Sequence, residues 1–313
     1  MKQMARTPQR RVDWECEQRF RAGGPFCHLH TPPLKTGVIF VSDKDRAIAL
    51  LYVAIAAAAV GVPVLAYALM SNHFHFLLRG NEEQSMAFWR EFERRLSLYF
   101  SRHGRPGVLS QIGNFKPTPI TTLKQFRDEV AYIIRNPFVV RTDIHPTSYL
   151  WCSGFLYFNP LLRFVPTIPA GKLTVRQKRE ALCSNDVSLP DGLTFANGCV
   201  HPASFVDYRL VESLFENTRQ FLLWTFKNVE AQVEAARRIG EAPTHSDDEL
   251  IPVVFRLCRD EFGAKGTSAL SEAQRIQLAT RLKYDYLTSN AQASRLSGLA
   301  PAIVDAMFPL SAK

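Results

Sequence analysis

The chain has 313 residues, of which 46% are hydrophobic, an ordinary share for a protein with buried cores, and its length suggests two domains or more. The net charge of +9 is concentrated in the first half, since residues 1–160 contain 20 Lys and Arg against 12 Asp and Glu. This asymmetry favours a polyanionic partner, most often nucleic acid. A basic surface that serves solubility alone is the alternative.

The six cysteines are scattered, without a CxxC pair or any other spacing typical of metal ligands. The first twenty residues are polar and basic, and they lack the apolar segment of a secretory signal. Both features predict free thiols in a reducing compartment, so we expect a cytoplasmic protein.

The first elements are predicted by alternation and by capping residues. Residues 1–24 are charged, and we expect a loosely ordered basic arm. The alternation in PFCHLHT, residues 25–31, predicts the first strand. Ser42, followed by acidic residues, is a typical helix start, and the Ala-rich helix over 43–60 is expected to end at Gly61.

The segment from Ala47 to Met70 has no charged residue and is long enough to cross a bilayer. The sequence Gly61-Val62-Pro63 divides it, so we interpret it as a buried helix followed by a buried strand. That strand begins near Val62 and continues through two histidines. We therefore expect no membrane partner.

Two further helices are predicted in the first half. Residues 82–103 place apolar side chains at helical spacing. Thr122 with Gln125 is a capping-box pattern that opens a helix over 123–136. Strands and helices alternate here, which predicts an α+β fold with helices on one face of a sheet. Residues 165–245, rich in Pro, Gly, Asn and Asp at their start, predict a linker followed by a helical lobe.

The last segment, residues 246–313, predicts a small helical domain. Capping-box patterns begin at Ser271 and Ser289, and Gly298 marks a short turn before a third helix. Helix, short turn with Gly, helix is the spacing of a helix-turn-helix unit. A generic three-helix bundle fits the same pattern.

Two histidines, His73 and His75, lie one residue apart in the apolar stretch LAYALMSNHFHFLLRG. On a strand their imidazoles would project to the same side, as two ligands of a metal or as a plain pair of core histidines. The helix over 123–136 offers Tyr132 and Asn136, which are four residues apart and therefore share one helix face.

These residue types suit one chemistry. Two neutral imidazoles and the amide oxygen of Asn136 would leave open coordination positions, which suits Mg²⁺ or Mn²⁺ better than a closed zinc site. A phenol with a pKa of about 10 attacks only an activated centre, such as a phosphodiester polarised by a divalent cation. The product would be a covalent phosphotyrosine on Tyr132.

LAYALMSNHFHFLL resembles the MPNHvHll signature of the single-tyrosine HUH transposases, with Ser71 in the place of the proline. VAYIIRNPFVVR resembles the YIxxNP motif of the REP-associated tyrosine transposases, a branch of that group. The resemblance covers about residues 25–160 and implies an HUH domain over residues 25–164, with a ferredoxin-like antiparallel sheet and helices packed on it. Longer relatives carry a helical C-terminal domain, as the last segment here suggests.

By this resemblance, His73, His75 and Asn136 would bind the divalent metal and Tyr132 would be the nucleophile. The family implies cleavage of single-stranded DNA, often next to a hairpin, through a 5′-phosphotyrosine intermediate and a free 3′-OH. A transposase or nickase that also rejoins strands is the function we expect.

Other residues are candidates for supporting roles. His28 and His30 form a second HxH pattern on the first strand, either near the metal or as partly exposed sheet histidines. Tyr99 competes with Tyr132 as nucleophile, but its apolar neighbours favour core packing. The cations that we expect to contact DNA are Arg79, Lys116, Arg135 and Arg141.

Two other functions remain open at this point. The chain could be a domesticated DNA-binding protein of the same fold that no longer cleaves, or a metal-dependent phosphoesterase that uses water as its nucleophile. The sequence does not fix the oligomeric state, and a homodimer is one option.

Overall fold

The computed structural model describes residues 8–31, 38–138, 147–226 and 247–309. It is a mixed α+β structure with two antiparallel sheets and a C-terminal group of helices. Its helices are α1 (Pro8–Gly23), α2 (Asp43–Val60), α3 (Glu82–Arg102), α4 (Leu123–Arg135), α5 (Val175–Leu182), α6 (Tyr208–Ser213), α7 (Thr218–Phe226), α8 (Asp247–Phe262), α9 (Glu272–Tyr286), α10 (Asn290–Ser297) and α11 (Pro301–Met307). Its strands are β1 (Phe26–His30), β2 (Val64–Leu69), β3 (Phe74–Arg79), β4 (Thr118–Ile120), β5 (Ile168–Pro169), β6 (Thr194–Ala196) and β7 (Cys199–Val200).

The larger sheet has the strand order β2-β3-β1-β4, with every neighbouring pair antiparallel. The chain leaves β1 through α2, returns as the hairpin β2-β3, and reaches β4 through α3. β3 therefore lies between β1 and β2, and the register places His30 of β1 directly opposite His75 of β3.

The two faces of this sheet carry different side chains because neighbouring residues of a strand point to opposite sides. Phe74 and Phe76 belong to the core formed with α2 and α3, whereas Leu77 belongs to the core formed with α4. Helices therefore cover both faces, and the expectation of helices on one face only was wrong. The helix α4 had been predicted, but its placement opposite α2 and α3 is a tertiary property.

The helix α2 begins and ends as predicted. The Ser42 side chain accepts a hydrogen bond from the Asp45 amide, and Gly61 closes the helix with a φ of 70°. Most of its residues from Ile48 to Ala57 are buried against the sheet and α3. None of the helices within the described ranges is both long enough and apolar enough to cross a bilayer.

The strand predicted to run from Val62 through both histidines is instead a hairpin. β2 ends at Leu69 and β3 begins at Phe74, and the Met70 amide donates to the His73 carbonyl across the turn at 3.0 Å. Ser71 and Asn72 form the two-residue loop, since Ser and Asn are turn-forming residues. His73 thus precedes β3 rather than lying on it.

The basic arm expected at the N-terminus is in part a helix. Residues 8–23 form α1, and the buried side chains of Cys16 and Phe20, four residues apart, pack in the core beneath α4. The burial of these two side chains stabilises the helix, although many of its other residues are charged. Residues 1–7 lie outside the described part of the chain.

The segment interpreted as a linker with a helical lobe contains regular structure. β5, β6 and β7 form a three-stranded sheet, and β7 and α5 pack on α2. Helices α6 and α7 follow and cover the α4 side of the larger sheet. The rest of that expected lobe, residues 227–245, falls outside what the structure describes.

The C-terminal helices begin at the predicted caps. Ser271 and Gln274 form a full capping box, and the Ser289 side chain accepts from the Gln292 amide. Between α10 and α11 lies a three-residue turn that starts at Gly298, whose φ is 74°. The predicted helix, turn and helix are all present.

Candidate metal and nucleophile site

The candidate site lies at one end of the larger sheet. Three parts of the chain meet there: the turn that holds His73, the paired ends of β1 and β3 with His30 and His75, and the last turn of α4. The helix α4 lies across β2 and β3, so its C-terminal end brings Tyr132 and Asn136 to the histidines.

The four residues predicted from the two motifs come together. The ring centroids of His73 and His75 are 4.8 Å apart, and the Tyr132 ring stands edge-on to His75 at 5.4 Å. The Asn136 side-chain nitrogen is 3.0 Å from His75 Nε2. Asn136 keeps helical backbone angles although it precedes a proline, so it still shares a helix face with Tyr132.

Both imidazoles use Nδ1 for a protein partner. His73 Nδ1 donates to the Asn72 side-chain oxygen at 2.9 Å, and His75 Nδ1 is 3.2 Å from His28 Nε2. His75 Nε2 contacts the Asn136 side-chain nitrogen, and the Asn136 side chain also forms a hydrogen bond with His73, so the point between these three side chains is the shared position that a cation would take. Two nitrogen donors and an amide oxygen fit a divalent cation that keeps open positions.

In the described part of the chain, no group of three or more His, Cys, Asp or Glu side chains is arranged to hold a metal ion. The donor set here differs from such groups because its third member is an amide, and Asn136 is held within hydrogen-bonding distance of His75.

Comparison with known proteins gives no relative. No family model matches the chain, and neither a curated protein nor a solved structure does. The site is therefore judged on its own geometry and chemistry.

The histidines are held in their neutral form. Burial lowers the pKa of His73 to about 4, helped by the positive charge of Arg295 and opposed by the Asn136 side chain. Burial also lowers the pKa of His75 well below its ordinary value, and that of His30 to a smaller extent. Neutral rings can offer lone pairs at pH 7, as metal ligation requires.

The two candidate tyrosines differ in access. The Tyr132 side chain is 45% exposed, so a polymer substrate can reach it. Tyr99 is buried, and its hydroxyl donates to Asp45 Oδ1 at 2.7 Å. Burial and the Asp45 carboxylate raise the pKa of Tyr99, so it is the poorer nucleophile.

The two histidines of the second HxH pattern, His28 and His30, differ in burial and in contacts. His28 is buried and contacts His75, whereas His30 is exposed, with its ring centroid 6.1 Å from that of His75. His28 Nδ1 also contacts Glu129 Oε2 at 2.7 Å. Sequence reasoning missed Glu129, although it lies three residues before Tyr132 on the same helix face, a spacing that could have revealed it.

The expected DNA-contacting cations are only partly brought together. Arg135 lies on α4 one turn from Tyr132, and the exposed Lys116 precedes β4 on the side of the sheet end that holds the histidines. Arg79 is exposed at the opposite end of β3, four residues and about 13 Å from His75. Arg141 lies outside the described residues.

A second missed feature links the C-terminal helices to the histidine turn. The buried carboxylate of Asp247 accepts from the Ser71 hydroxyl at 3.0 Å and from Nε and Nη2 of Arg295, each at 3.0 Å. The Gln292 side chain also donates to it at 2.9 Å. The sequence gives no signal for this contact, since Ser71 and Asp247 are 176 residues apart.

Proposed function

We propose that this protein is a metal-dependent DNA strand transferase, a single-tyrosine transposase or nickase of the HUH type. It would cleave single-stranded or hairpin DNA through a 5′-phosphotyrosine on Tyr132. The sheet connectivity supports this proposal, because a β-α-β-β-α-β order with β3 between β1 and β2 is the ferredoxin-like arrangement that the sequence resemblance implies.

The observation that carries the proposal is the convergence of Tyr132, Asn136, His73 and His75. The two motifs are separated by more than fifty residues in sequence, yet their side chains meet within hydrogen-bond and ring-contact distance. A pair of core histidines and an unrelated surface tyrosine would not need this arrangement.

A divalent cation bound by His73, His75 and Asn136 would polarise a phosphate oxygen and stabilise the charge that develops in the transition state. The Tyr132 oxygen forms a bond to phosphorus while the bond from phosphorus to the 3′ oxygen breaks. The phenol loses one proton and the departing 3′ oxygen gains one. The phosphotyrosine retains a phosphodiester bond that a 3′-OH can attack to rejoin the strand.

Charge and exposure suit a DNA substrate. The exposed Tyr132 lies on a surface rather than in a closed cavity, and Lys116 and Arg135 provide positive charge nearby. The C-terminal helices would aid the binding of DNA or of a protein partner.

The proposal is tested with a fluorescent hairpin oligonucleotide, Mn²⁺ and denaturing electrophoresis. Wild-type protein is expected to give a covalent protein–DNA band, and Tyr132→Phe is expected to give none while binding the oligonucleotide nearly as before. The matched control is Tyr99→Phe, which removes a buried hydroxyl from the same unit and should keep the adduct. An undiminished adduct in Tyr132→Phe would exclude Tyr132 as the nucleophile.

The same assay separates the alternatives. Tight binding without any adduct indicates a non-cleaving DNA-binding protein of this fold. Cleaved DNA without a protein–DNA bond indicates a phosphoesterase that uses water.

A further inference from the structure

Three side chains from three different elements, Glu129, His28 and His75, form a hydrogen-bonded row. Glu129 of α4 contacts His28 Nδ1 at 2.7 Å, and His28 Nε2 of β1 contacts His75 Nδ1 of β3 at 3.2 Å. The rings of His28 and His75 are inclined at 29° to each other, with centroids 5.4 Å apart. His28 is almost fully buried, so water does not compete for its ring nitrogens.

The chemistry of these groups determines which atom donates the proton in each hydrogen bond of the row. A carboxylate can only accept, so the proton at the first contact is on His28 Nδ1. The Asn136 side-chain nitrogen can only donate and lies 3.0 Å from His75 Nε2, so the proton of His75 is on Nδ1, which donates it to His28 Nε2. His75 is left with a bare Nε2, the atom next to the Asn136 side chain.

We infer that Glu129, acting through His28, holds His75 in the tautomer with its proton on Nδ1 and its Nε2 lone pair directed to the shared position beside Asn136. Glu129 and His28 are therefore positioning residues for the metal ligand His75. Their role as metal-positioning residues rests on the proposed function, whereas the tautomer is a property of the protein alone.

The reversed row is unfavourable. If His28 carried its proton on Nε2 alone, its Nδ1 lone pair would lie 2.7 Å from the carboxylate of Glu129. His75 would then carry its proton on Nε2 and could not bind a metal through that atom. His73 has the same tautomer, with its proton on Nδ1, because Nδ1 donates to the side-chain oxygen of the neighbouring Asn72.

The tautomers can be measured directly in the metal-free protein. Histidine labelled with ¹⁵N and long-range ¹H–¹⁵N correlation spectra distinguish a protonated ring nitrogen from a bare one. We expect Nδ1 to be protonated and Nε2 to be bare in both His28 and His75. A spectrum in which His75 Nε2 carries the proton would overturn the inference.

Variants of the carboxylate test its role. Glu129→Ala is expected to convert His75 to a mixture of tautomers, whereas Glu129→Gln retains an oxygen acceptor and should preserve the wild-type spectrum. The matched control is Asp128→Ala, which removes the adjacent carboxylate of the same helix, one that contacts Lys124 and Trp224. An unchanged His75 tautomer in Glu129→Ala would show that Glu129 does not direct it.

Binding of Mn²⁺, measured by electron paramagnetic resonance, links the tautomer to the metal. We expect Glu129→Ala to weaken binding by about 10–100-fold and Glu129→Gln to weaken it much less. Equal affinities for wild type and Glu129→Ala would contradict the positioning role. If wild-type protein bound no Mn²⁺ but showed the expected tautomers, the proposed function would fail while the assignment of the tautomer would stand.

Discussion

The two faces of the larger sheet show how one strand serves two purposes. The side towards α2 and α3 is a closely packed aromatic core in which Phe74 and Phe76 contact Phe92 edge-on. The side towards α4 carries Leu77 in its core and the histidines at its end. Since successive residues alternate between faces, a shift of one residue would place His75 in the aromatic core. Burial of the aromatic face thus fixes the register of β3 with β1 and β2, and this register places His75 in the polar site.

The largest expected effect comes from breaking the aromatic face. Phe76→Ala removes a ring that is fully buried, and it should lower the free energy of unfolding by about 3–5 kcal/mol. Urea unfolding followed by circular dichroism measures this loss. A change of less than about 1 kcal/mol would mean that this face does not hold the sheet together.

The neighbouring substitution on the other face should separate binding from stability. His75→Leu fills the same buried position with an apolar side chain and removes a nitrogen donor, so we expect Mn²⁺ affinity to fall by at least about 100-fold. The loss of two hydrogen bonds should cost about 1–3 kcal/mol of unfolding free energy. Titration calorimetry with Mn²⁺ and urea unfolding test the two effects, and retained affinity would remove His75 from the ligand set.

Acid should destabilise the histidine side selectively. The pKa of His73 is lowered from its ordinary value of 6.5 to about 4 in the folded protein, so below pH 6.5 the unfolded chain binds the proton more readily. Stability is then highest above pH 6.5 and falls as the pH decreases towards 4, by about 2 kcal/mol for His73 alone between pH 7 and pH 5. Urea unfolding of the metal-free protein and of His73→Gln checks this, because the variant should show the smaller change.

The smallest effect is expected when a single cation near the histidine end of the larger sheet is removed, and it concerns the affinity for DNA. Lys116→Ala should weaken binding of a single-stranded oligonucleotide uniformly across sequences and reduce the salt dependence by about 0.7 in log K against log [salt]. Arg79→Ala, at the other end of β3, should leave that slope unchanged. Equal effects of the two substitutions would indicate that DNA does not lie over the histidine end of the sheet.

Much of the local structure could be predicted because its causes are local. The start of α2 at Ser42, its end at Gly61 and the shared helix face of Tyr132 and Asn136 each depend on a few neighbouring residues. The hairpin between β2 and β3 was missed because the apolar residues before and after Ser71 and Asn72 also fit one long strand. Only the turn at Ser71 and Asn72 distinguishes the two.

The candidate site was predictable only in its outline. The residues of the two motifs could be paired by resemblance, but the row through His28 to Glu129 depends on the register between β1 and β3 and on the placement of α4. The contact of Asp247 with Ser71 likewise depends on how distant segments pack. Such contacts leave no periodic pattern in the sequence.

The most direct test of the central claim is to identify the residue that carries the nucleotide. Wild-type protein is incubated with Mn²⁺ and a hairpin oligonucleotide, digested with nuclease and protease, and analysed by tandem mass spectrometry. We predict a peptide in which Tyr132 carries a 5′-phosphonucleotide. A nucleotide on another residue, or cleaved DNA with no modified peptide, would contradict the account.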